Sequence, residues 1–121
     1  MNRLHSNDNE REQARQLRSL LLLIDGDTSG ADHALGADIL NALDAPIGIG
    51  DPVTCMDCAI HLANWMKQPQ FEVLQSATAW LRERVRGGWK CSNDIDGPDV
   101  ARAITAVLLK VKLANLERAP A

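Results

Sequence analysis

Apolar side chains recur every three to four residues over five stretches of the chain, and Gly- and Pro-rich breaks separate them. This pattern predicts five helices. The first spans about residues 9–24, with Ala14, Leu17, Leu21 and Ile24 on one stripe, and residues 1–8 read as a flexible polar tail. Its last turn, residues 20–24, is apolar all round and predicts burial. A strand ending in Asp25-Gly26-Asp27 is the competing expectation, but no other segment offers it a partner strand. A second helix carries Leu35, Ile39 and Leu43 and ends near Asp44, with Ser29 and Asp32 spaced like a capping box ahead of it. Ala45-Pro46-Ile47-Gly48-Ile49-Gly50 reads as a connector. Asp51 and Pro52 form an N-cap and first-turn pair for a third helix, with Thr54 as a slightly later start, and Pro69 terminates it.

The fourth helix shows Phe71, Leu74, Thr78, Leu81 and Val85 at alternating three- and four-residue spacing, which predicts its core face. Gly87-Gly88 ends it. After a loop over residues 89–97, Pro98 opens a last helix that continues to about Glu117. The expected fold is all-α: one domain over residues 1–121, a compact bundle or orthogonal array of about five helices.

Both C-terminal helices carry apolar residues beyond one stripe. On the fourth, Val73, Ala77 and Trp80 lie opposite the predicted core face. On the fifth, Val100, Ile104, Val107 and Val111 share one side while Leu109, Leu113 and Leu116 share another. A helix apolar all round is enclosed, either centrally in its own domain or in an interface. The interface expectation therefore rests on Val73, Ala77, Trp80, Leu109, Leu113 and Leu116, with a homodimer as its simplest form.

Composition narrows the class. The chain has 121 residues, three Trp, one Phe and no Tyr, so its core is aliphatic, which suits helices better than a β-sandwich. No apolar run approaches the roughly 20 residues that cross a bilayer, and the polar N-terminal residues do not resemble an export signal. Three cysteines without such a signal predict reduced thiols and a cytoplasmic location. Net charge is −3, but it is polarised: seven Asp and no Lys or Arg fall between Arg18 and Lys67.

The chemistry-bearing residues are Cys55, Cys58, His61 and Cys91. Were they to converge, they would form the Cys₃His set of a structural zinc site, and thiolates also suit iron–sulfur clusters. Against this, the strong zinc patterns bring a second Cys/His pair, which this chain lacks. Cys55 and Cys58 share a helical face with Ala59, Leu62, Trp65 and Met66, whereas His61 sits about 120° around from Cys55. Packing thiols with no cofactor are therefore expected first, and Zn²⁺ binding or thiol redox chemistry second. Asp25, Asp27, Ser29 and Gly30 match the opening of a calcium loop, but Gly36 stands where the closing Glu belongs. Arg82, Arg84, Arg86 and Lys90 would supply phosphate contacts if the third and fourth helices imitated a helix-turn-helix, an arrangement the net acidity disfavours. No phosphate loop or nucleophile elbow is present. The leading expectation is a small non-enzymatic protein–protein interaction or regulatory module that self-associates through its two C-terminal helices. A metal- or thiol-dependent protein and a nucleic-acid-binding regulator are the alternatives.

Overall fold

The apolar periodicity is realised as helices throughout. The computed structural model describes residues 2–26, 33–89 and 97–118, with side chains from residue 9 in the first segment and from residue 35 in the second. Among these residues there are five α-helices and no strand: α1 (Asn2–Asp25), α2 (His33–Ala42), α3 (Met56–Trp65), α4 (Gln70–Arg86) and α5 (Gly97–Arg118). A single 3-10 turn, Ile47–Ile49, lies in the predicted connector. The protein is all-α, and residues 20–24 are helix rather than strand. Helix α1 begins at Asn2, well before its buried stripe starts at Ala14. Residues 27–32, with the Ser29/Asp32 pair and most of the calcium-loop pattern, lie outside the described residues.

Helix α5 is the central element and packs against α1, α3 and α4. Every residue from Ala101 to Leu109 is buried, including Arg102 and Thr105. Ala101, Ala103 and Ala106 keep its surface low, which lets neighbouring helices approach. The polar residues in this stretch close the ends of other elements. A helix leaves its last carbonyls without intrahelical donors, and burial makes that costly. Arg102 donates from Nε to the Ile24 carbonyl at 3.0 Å and from an Nη to the Leu23 carbonyl at 3.2 Å. Its positive charge also suits the negative end of the α1 dipole. Trp89, just past α4, donates to the Gly26 carbonyl at 3.2 Å, and the Arg102 guanidinium lies over its ring at 5.9 Å. Thr105 donates to the Pro52 carbonyl at 2.6 Å, and Gln13 of α1 reaches the Ala42 carbonyl at the end of α2 at 2.7 Å.

The third helix starts later than the Asp51-Pro52 pair predicts. Asp51 accepts from the Val53 N–H at 3.0 Å and the Thr54 hydroxyl at 2.8 Å, closing a separate turn over residues 52–54. Cys55, extended at φ −116° and ψ 115°, is the true N-cap of α3. Thr105 holds that turn against α5, and the helix begins only after it. The α3 end is also displaced: Lys67 takes φ 61° and the Gln68 N–H returns to the Ala63 carbonyl, so the chain leaves the helix before Pro69.

Replacing Arg102 with Met keeps the apolar stem and removes both donors to α1. The expected loss is about 2–3 kcal/mol, read from urea unfolding, with amide exchange in residues 20–26 rising more than in α3.

Candidate functional site

Helix α4 has two apolar faces, and the structure turns inward the one that periodicity placed outside, together with Leu81 of the predicted core stripe. Val73, Ala77, Trp80 and Leu81 face inward and are buried. Of the predicted core stripe only Leu81 is buried, while Phe71 at 71%, Leu74 at 40% and Val85 at 43% are exposed. The interface expectation at Val73, Ala77, Trp80 and Leu109 is therefore corrected, because all four are enclosed by their own chain. Leu113 and Leu116 are half-buried against the core. The inversion has a physical cause in Trp80. Its ring meets Trp89 edge to face at 5.7 Å and carries the Arg84 guanidinium at 5.3 Å, contacts that only the inward side offers. Trp80 Nε1 is buried without a hydrogen-bond partner, so the ring is held by packing and stacking.

The outward stripe borders a groove between α4 and α5 of about 440 Å³. Leu74, Thr78, Leu81 and Val85 line it from α4, and Val100 and Ala103 line it from α5. Arg82 and Arg86 stand exposed on its rim. Arg84 does not join them. It turns inward to Asp25 of α1, with Nε 3.2 Å from the carboxylate, an ion pair without directed hydrogen-bond geometry. The predicted basic row for nucleic acid thus loses its middle member, and Lys90 lies outside the described residues.

Cys55 and Cys58 form a pair at the start of α3. The Cys58 N–H donates to Cys55 Sγ at 3.3 Å, so the first sulfur caps the helix that carries the second. Both are half-buried free thiols. A hydrogen bond with Cys55 pushes the Cys58 thiol up to about 11, with partial burial and the nearby Cys55 and Asp51 charges adding to it. Gly50 sits directly on this sulfur, where a Cβ would lie 2.6 Å from Cys58 Sγ. Its φ of 92° and ψ of −169° fall in a region that essentially only glycine occupies. His61 is exposed, and Cys91 lies outside the described residues. Among the described residues no three His, Cys, Asp or Glu side chains are grouped to hold a metal. His33 and His5 have no described side chains.

Sequence reasoning missed Phe71, Leu74 and Val85 as surface residues and Gly50 as the support for Cys58. One signal was available: Trp80 and Arg84 share a face, and a buried indole beside a guanidinium is a common inward pairing. No family model matches the chain, and no curated protein or solved structure matches it either. Among the described residues no helix is long and apolar enough to cross a membrane.

Gly50→Ala is expected to cost about 1–3 kcal/mol from backbone strain, whereas Gly48→Ala, whose Cβ meets nothing within 4 Å, leaves the unfolding midpoint unchanged. The Cys58 shift also sets a pH dependence. The folded state holds the thiol protonated more tightly than the unfolded chain, so its contribution is complete below pH 9.0 and is lost as pH rises toward 11. Urea midpoints at neutral and alkaline pH should show a drop that Cys58→Ala reduces.

Proposed function

We propose that this chain is a small helical interaction module that pairs with a second copy of itself through the outward face of α4 and the α4–α5 groove. The observation that carries this reading is the exposure of Phe71, Leu74 and Val85 on a helix whose opposite face already completes the core. Solvent-facing helix surfaces are ordinarily polar, and contiguous apolar exposure beside a groove marks a binding surface. The three- and four-residue alternation from Phe71 to Val85 is the heptad spacing that another helix occupies.

Self-pairing is favoured by the symmetry of the stripe and its charges. Phe71 and Val85 lie equally far on either side of Thr78, so two antiparallel copies of α4 place each aromatic ring near the other copy's valine. The same arrangement brings Glu72, in the first turn of one copy, toward the Arg82–Arg86 end of the other. A regulatory role would follow from whatever controls that pairing.

Sedimentation velocity at about 100 µM, where a micromolar contact is saturated, should show a dimer. Leu74→Glu should raise the dissociation constant roughly 10-fold or more with helical circular dichroism unchanged. Glu72→Arg should weaken the dimer, and combining it with Arg86→Glu should restore it. A monomeric wild type at that concentration rejects self-pairing.

A further inference from the structure

We propose that Cys55 and Cys58 form a dithiol site that reduces small organic disulfides of neutral or cationic character. This inference is independent of pairing through α4. Its basis is the geometry of the first turn of α3. Cys55 caps that turn and accepts the Cys58 N–H, so negative charge on its sulfur would meet a backbone donor at the positive end of the helix. Cys58 is one turn on, hydrogen-bonded to Cys55 and seated against Gly50. Two half-buried thiols in contact across three residues need only a small movement to join.

A place for the disulfide's substituent adjoins the pair. A recess of about 260 Å³ is lined by Leu40, Ile47, Gly50 and Asp51, and the last two border Cys58. Its surroundings set the charge of what enters. Asp51 lines the recess, Asp57 is exposed on the nearby first turn of α3, and no Lys or Arg occurs between Arg18 and Lys67. A negative field repels anionic disulfides and gathers cationic ones.

The reaction balances with the disulfide as oxidant. The Cys55 thiolate attacks one sulfur of R–S–S–R, the S–S bond breaks, and one R–S⁻ leaves and takes up a proton. A mixed disulfide, Cys55–S–S–R, remains. Cys58 then gives up its proton and its sulfur attacks Cys55 Sγ, releasing the second thiol and closing the Cys55–Cys58 bond. The protein loses two protons and two electrons, and the small disulfide becomes two thiols.

The test uses the full chain, reduced and then mixed with cystamine, a dicationic disulfide, or with dithiodiglycolate, a dianionic one. Intact mass should show the loss of two hydrogens, peptide mapping should place the bridge between Cys55 and Cys58, and two thiols should be released per chain. Cys58→Ser should stop at a mixed disulfide on Cys55, and Cys55→Ser should react at least about 10-fold more slowly. Cystamine should outpace dithiodiglycolate by roughly 10-fold at low ionic strength, a gap that salt narrows. A wild type that ends with separate stable mixed disulfides on both cysteines, or with a bridge to Cys91, overturns the site. Equal rates with the two probes overturn the charge selection.

Discussion

Burying a guanidinium inside an otherwise aliphatic helix costs several kcal/mol unless its donors are met. Arg102 meets that condition through the last carbonyls of α1 and the face of Trp89. The requirement works in both directions, because the α1 carbonyls would themselves be stranded without it. It therefore fixes where α1 ends, where the chain leaving α4 must pass, and how far α5 is inserted. The Arg84–Asp25 pair and the Trp89 bond to Gly26 gather at the same junction. Similar side chains close other ends, with Gln13 at α2 and Thr105 at the turn before α3. Helices here are located by the carbonyls they cover as much as by apolar contact.

This arrangement explains why α4 is left with greasy surface on its outer side. The inward face must supply Trp80 and Arg84 to the junction, and one helix cannot also turn Phe71 and Leu74 toward α5. Phe71, Leu74 and Val85 are thereby left at the surface, while Leu81 of the same stripe stays buried. On stability grounds alone such exposure gains nothing, which is why pairing with a second copy accounts for it economically.

Much of the fold was legible in the sequence. Helix number, the Gly87-Gly88 stop and the burial of Leu35, Ile39 and Leu43 follow from spacing and turn chemistry. The enclosure of α5 was legible only as a choice between its own domain and an interface, and Leu109, expected in the interface, lies in the core. The faces of α4 were not, because periodicity reports that two stripes exist and not which one the neighbours accept. That choice depends on Trp89 just past the helix and on Asp25, which is remote in sequence from the stripe. The choice of the later α3 start has a related reason. Asp51 is a good cap by composition, but a hydroxyl from α5, far along the chain, turns it to closing a separate turn. At the candidate thiol site the Cys pair was visible and its support by Gly50 was not, since a positive φ leaves no mark beyond the glycine itself.

Asp51 links these local details. Its carboxylate closes the turn beneath Thr105 and occupies the space where any side chain at Gly36 of α2 would begin. Its backbone N–H reaches the Cys58 sulfur. One aspartate is thus a hinge pin shared by α2, the turn and the thiols. The same side chain therefore sits where α2, the turn and the thiol pair meet.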